Sequence, residues 1–161
     1  MTFKRNLTLL CLILFLSTAS SINLYMSNLK LRNEIGYNYS HKITTTQNTL
    51  FEIITLIDVY GNLRGNSLIK YKYITSQLYL NLKNDNSLSD IADDIYDIHE
   101  SMNKADINTG LSDDAISKIK STYKKVLSIQ ESIDSTYESE SVLKDNYTFV
   151  NWYKYFYNSN I

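Results

Sequence analysis

Three observations predict an all-α chain folded as an up-down-up-down antiparallel helical bundle, with two long outer helices and a short central hairpin. The 161 residues include no proline and only four glycines, too little turn punctuation for a β-sandwich or an α/β domain of this size. What punctuation exists falls in three clusters: Gly61-Asn62-Leu63-Arg64-Gly65-Asn66, Asn84-Asp85-Asn86-Ser87 and Asn108-Thr109-Gly110. Between the clusters, apolar residues recur at spacings of three and four, the period of a helix with one buried stripe.

The chain begins with a segment of its own kind. Residues 7–16, Leu-Thr-Leu-Leu-Cys-Leu-Ile-Leu-Phe-Leu, follow Lys4 and Arg5 and precede Ser-Thr-Ala-Ser-Ser. A positive start, a short apolar run and small residues together describe a segment that enters a membrane. Two readings compete. A cleaved signal peptide of residues 1–19 fits the short apolar core, with Ser17 and Ala19 placed for cleavage before Ser20. A signal-anchor or transmembrane segment over 1–26 fits the window Leu7 to Met26, which is free of charge and near the roughly 20 residues a spanning helix needs. In both, Lys4 and Arg5 hold the N-terminus inside. Cys11 is preceded by Leu10 where a lipidation site needs a small residue. As the sole cysteine, it also excludes an intrachain disulfide.

Residues 27–161 then read as a single extracytoplasmic helical domain, large enough for one core. The first helix runs to about Tyr60, with Ile43, Leu50, Ile53, Ile54 and Ile57 on its inner stripe. The second, about 67–83, offers Tyr71, Ile74, Leu78 and Leu82. The third carries the clearest seam, Leu88, Ile91, Ile95, Ile98 and Met102, and Ser87 with Asp90 reads as its capping box. The fourth starts at Ser112, with Asp113 and Asp114 at the positive helix end, and continues through Ile116, Ile119, Tyr123, Val126, Gln130, Ile133 and Tyr137 to about 45 residues. Apolar density at 50–60 and 116–133, against polar runs at 38–49 and 134–141, predicts a distal four-helix head on a two-helix stalk.

Charge and motifs exclude several functions. Beyond residue 21 the chain has 14 Lys and Arg against 17 Asp and Glu, a net of −3, with no basic stripe for nucleic acid. Acids cluster between Asp85 and Asp114. Asp90, Asp94 and Asp97 form one ridge beside the third seam, and Asp93, Asp97 and Glu100 another, with His99 adjacent. Such oxygens can hold a divalent cation, but a solvated helix face is the plainer account. Asp106-Ile-Asn108-Thr-Gly110 fails the spacing of a calcium loop, because its glycine comes early and Ser117 stands where a glutamate belongs. No Gly-x-Ser-x-Gly turn exists, and His41 and His99 fall on different helices, so no catalytic residue, cofactor or metal is expected. Asn38 and Asn146 sit in glycosylation patterns that matter only in a eukaryotic or viral host.

Two places remain as candidate interaction sites. Residues 147–157 hold seven aromatic rings: Tyr147, Phe149, Trp152, Tyr153, Tyr155, Phe156 and Tyr157. An even number of antiparallel helices returns this tail to the level where the chain leaves the bilayer. There it can rest in the headgroup layer, pack on the first helix near Tyr25, Leu29 and Tyr37, or dock a protein. At the opposite tip, the loops offer Asn62, Arg64, Asn66, Asp106 and Asn108, with Arg64 able to clamp a carboxylate. A solvated turn is the simpler reading.

This arrangement of N-terminal anchor, long helix, short hairpin and long returning helix resembles the extracytoplasmic four-helix sensor modules of bacterial chemoreceptors and sensor kinases. The resemblance covers most of the chain and is one of pattern, carried by no diagnostic motif. It implies a ligand pocket between helices of the head. It departs after the last helix, where such receptors cross the membrane again and carry a signalling part; this sequence ends at Ile161, so no direct output is expected. The expected function is a small membrane-anchored, extracytoplasmic helical interaction protein without catalytic activity. Its expected partners are the membrane and a protein or second copy, with no nucleic acid. The alternatives are a stand-alone sensor-like ligand-binding module and a secreted helical protein.

Overall fold

A computed structural model describes the backbone of residues 2–137 and 149–158, and the side chains of 13–133 and 149–157. Five helices follow in order: α1 Thr2–Tyr60, α2 Gly65–Leu82, α3 Ser89–Lys104, α4 Asp113–Tyr137 and α5 Val150–Asn158. A single 3-10 turn, Asn86–Leu88, precedes α3. The described residues form no strand, and the helices pack together around one cluster of buried side chains.

The three clusters of turn residues end the helices where expected. Gly61 takes φ 78° just past α1, a left-handed conformation that costs little without a Cβ. Contacts between neighbouring helices then form ladders. On α1 and α2, Glu52 meets Tyr71 and Lys42 meets Asp85 just past α2. On α2 and α3, Thr75 meets Met102 and the Tyr79 ring lies tilted against Tyr96. On α1 and α4, Asp58 meets Lys120 and Phe51 lies against Tyr123.

The third seam is buried throughout: Leu88, Ile91, Ile95, Ile98 and Met102 are all at or below 2% exposure. Burying a side chain of this size stabilises by roughly 1.5–3 kcal/mol, so this stripe anchors the core. The α1 and α2 stripes are buried apart from Ile54 and Ile74, which pack partly against it. On α4 the core face is Ala115, Ile119, Thr122, Val126 and Ile133, with Ile116 and Tyr123 flanking it.

Four expectations need correction. The N-cap position of α3 is Leu88 and not Ser87. Asp85 caps the 3-10 turn by accepting the Ser87 N–H (3.2 Å), and tertiary contacts to Lys42 and Tyr39 hold that carboxylate there. The polar run 38–49 is not stalk, because Ile43, Thr46 and Thr49 are buried. Thr46 donates its hydroxyl to the Lys42 carbonyl (2.8 Å), so it enters the core with its polar group satisfied. Thr75 and Thr122 do the same through the Tyr71 and Lys118 carbonyls. The fourth helix is not one rod of about 45 residues: a turn at Phe149 precedes a separate α5 from Val150, and the described part of α4 is Asp113–Tyr137. The described part of the stalk is therefore α1 alone, braced by α5 at its junction with the head.

Candidate functional site

Helix α1 changes character near Gly36. From Ile43 onward one stripe faces the core. From Ile13 to Leu31 nearly every side chain is exposed, and the large ones are apolar: Ile13, Leu14, Phe15, Leu16, Ile22, Leu24, Tyr25, Met26 and Leu31. Ile13, Leu14, Phe15 and Leu16 are 56%, 57%, 72% and 58% exposed. Successive helix residues are about 100° apart, so these four surround the helix instead of forming one face. Thr18 and Ser21 turn their hydroxyls onto the Phe15 and Ser17 carbonyls (2.9 Å each), which satisfies those two polar groups within the helix.

Gly36 marks the junction. It is buried, and a Cβ there would collide with the Phe149 carbonyl oxygen, so only glycine lets the start of α5 lie this close. Asn33 accepts the Phe149 backbone N–H (2.9 Å), giving the N-terminus of α5 a cap from another helix. Phe149 meets the edge of Tyr37 at 5.1 Å, and Phe156 stacks on Tyr39 at 4.6 Å. Trp152 and Phe156 are buried here. Phe149, Tyr153 and Tyr155 are half-buried, and Tyr157 is exposed and stacked on Tyr153 at 4.9 Å. Tyr147 lies outside the described residues. Tyr25, offered as a packing partner, is itself exposed. The tail meets α1 between Arg32 and Tyr39.

Arg32 ties the two helices on the side nearer the apolar stretch. Its Nε donates to Asn28 Oδ1 (3.0 Å), and its guanidinium lies 5.5 Å from the centre of the Tyr153 ring. Above the junction, Lys42 pairs with Asp85 (3.1 Å) and Tyr39 donates to the same carboxylate (3.3 Å). Burial raises the Tyr39 pKa, although its hydroxyl's bond with Ser87 opposes that, so Tyr39 stays a neutral donor.

The tip residues turn out to hold the loops to each other. Asn62 Oδ1 accepts the Leu63 and Leu111 N–H groups (2.7 and 2.9 Å), and its Nδ2 donates to the Thr109 and Leu111 carbonyls (3.3 and 2.9 Å). Four bonds use all that an amide offers. Gly110, at φ 85°, packs against this amide so closely that any side chain would displace it. Asp106 accepts the Asn108 and Thr109 N–H groups (2.8 and 3.1 Å), and these bonds hold its carboxyl below the usual range. Gly65 donates to the Ile107 carbonyl (2.9 Å), joining the two loops. Arg64, Asn66 and Asn108 are exposed on the outside of this clamp.

The first acidic ridge faces α4. Asp94 binds both Lys118 (2.6 Å) and Lys125 (2.9 Å), and Lys118 also reaches Asp97 (3.3 Å). Burial would raise the Asp94 pKa, but hydrogen bonds from the two ammonium groups outweigh it and hold the carboxyl below the usual range. The bond to Asp94 raises the Lys118 pKa in turn. His99 bridges α2 and α3: Nδ1 lies 3.1 Å from the Lys72 carbonyl and Nε2 3.0 Å from the Asn103 amide nitrogen. These partners assign the proton to Nδ1. Among the described residues, no three His, Cys, Asp or Glu side chains are grouped to hold a metal.

One further concavity, of about 410 Å³, lies between α1 and α2 and is lined mainly by Asn38, His41, Lys42, Thr45, Leu78 and Asn81. On α4, Gln130 buries an amide oxygen that has no hydrogen-bond partner among the described residues. Among the described residues, no helix is long and apolar enough to cross a membrane, and the charge-free window starting at Leu7 includes side chains outside that set. Comparison with protein-family models, curated proteins and solved structures gives no match.

Proposed function

We propose that this chain is a membrane-tethered, extracytoplasmic helical interaction protein that does no chemistry of its own. The observation that carries the reading is the four-way exposure of Ile13, Leu14, Phe15 and Leu16. A partner helix would cover one side of such a rod, whereas a bilayer covers every side, and helices apolar all round belong in apolar surroundings. The window from Leu7 to Met26 is about 30 Å long as a helix, which matches a hydrocarbon core. Lys4 and Arg5 orient it with the head outside. On this reading the head is an up-down-up-down bundle held off the membrane by α1, and it meets a protein partner or a second copy through its exposed surface.

The test is extraction of the full chain, expressed with its own N-terminus, from membranes at alkaline pH. Retention in the pellet at the full-length mass is expected. A soluble protein lacking residues 1–19 would instead establish the secreted reading.

A second reading, the sensor-like ligand module, is favoured by the concavity between α1 and α2 and by the Gln130 oxygen, which has no partner among the described residues. It predicts a small molecule retained by the purified head, which native mass spectrometry detects; the interaction reading predicts a bare protein mass.

A further inference from the structure

We infer that Arg32 is a lipid-phosphate anchor that fixes how deeply α1 sits, and that α5 is the brace that holds its guanidinium there. The inference rests on the membrane reading above and adds a site to it. Helix side chains lean toward the N-terminus of their helix, so a cation placed after an apolar span reaches back toward the bilayer. Arg32 does this. Its Nε bond to Asn28 Oδ1 brings the guanidinium to the level of a residue one turn nearer the apolar window. Asn28 is two residues beyond Met26, about 3 Å along the axis, which is within the headgroup layer if Met26 marks the edge of the hydrocarbon.

The two contacts of the guanidinium among the described residues leave its charge intact, since the Asn28 amide oxygen and the Tyr153 ring are both neutral. Nε is used, and the terminal N–H groups retain the planar fork that suits phosphate oxygens. Tyr153 is placed by the rest of α5: the Asn33 cap, the Gly36 notch and the buried Trp152 and Phe156 all fix that helix against α1. The surroundings suit the same layer. Lys30 is exposed on the adjoining turn, and Tyr25 is an exposed ring with a polar tip, the residue type enriched where lipid meets water. α5 therefore turns a flexible cation into an oriented one.

The chain has three arginines, which makes a direct test possible. The full chain carrying R5K, with arginine labelled at the guanidinium carbon, is reconstituted in vesicles of phosphatidylcholine and phosphatidylglycerol, and carbon–phosphorus dipolar dephasing is recorded by solid-state NMR. One of the two remaining guanidinium carbons is expected to dephase at phosphate-contact distance, while the other, Arg64 at the far tip, stays unaffected. Adding Arg32→Lys should abolish the dephased signal while leaving the circular dichroism of the chain unchanged. A chain that sediments with the vesicles but shows no dephasing overturns the phosphate anchor and leaves the tether standing. A chain that does not sediment overturns both.

Discussion

The two halves of α1 have the same backbone and opposite side-chain environments. Beyond Gly36, Ile43, Leu50 and Ile53 are fully buried on one stripe, and the outward positions are left to solvent. Before it, apolar side chains of similar size stand exposed on every side of the rod. Helix formation thus does not distinguish the regions, because intrahelical hydrogen bonds satisfy the backbone equally in both. What separates them is where the apolar area goes. The head buries it within the chain, and the projecting half leaves it exposed.

The comparison breaks most sharply under truncation. Ile95→Ala in α3 is expected to cost about 2–5 kcal/mol in denaturant unfolding of the head, the usual range for a fully buried isoleucine. Leu24→Ala, at a residue 70% exposed, should shift the same transition by less than about 0.5 kcal/mol. A comparable loss at Leu24 would mean that the projecting half packs against the head.

Gly36→Ala tests the junction. Its methyl group would meet the Phe149 carbonyl, so α5 must move away at a cost of about 1–3 kcal/mol. Trp152, the single tryptophan, should then shift its emission to the red. An unchanged spectrum would show that α5 does not depend on the notch.

Asn62→Ala is expected to cost about 1–2 kcal/mol, since backbone groups on two loops lose their shared partner. Faster amide exchange at Leu63 and Leu111 is the site-specific readout.

Among the polar contacts, the smallest loss is expected at Asp94. Its folded pKa lies below the unfolded value, so its contribution is present above the usual carboxylate range and is lost as pH falls through the folded value. Asp94→Asn should therefore cost about 0.5–1 kcal/mol near neutral pH, a modest figure for a solvent-accessible pair. The difference from the parent should vanish in strong acid. A penalty that persists there would show that packing, not charge, is what the substitution removes.

How far the sequence could be read depended on whether the relevant signal was local. The α3 seam was legible because strict three-and-four spacing beside acidic ridges permits one buried face, and all five seam residues lie in the core. The threonines of α1 misled because composition counts them polar, whereas Thr46 satisfies its hydroxyl within one turn and packs like valine. Asn62 read as a surface candidate because its partners are backbone atoms of a distant loop, which leave no trace in side-chain identity. Gly36 did carry a signal: a lone glycine inside a helical pattern points to close approach of another backbone. The separate start of α5 at Val150 carried none, since no glycine or proline lies between Tyr137 and Val150.

The account stands on the claim that lipid covers the projecting half of α1 while water meets the head. Labelling with a membrane-impermeant maleimide tests this directly. In a Cys11→Ser chain reconstituted in vesicles, Leu14→Cys and Val59→Cys start from similar exposure, 57% and 66% in the protein alone. The account predicts rapid labelling at position 59 and none at position 14 until detergent is added. Equal labelling at both positions in intact vesicles would contradict it.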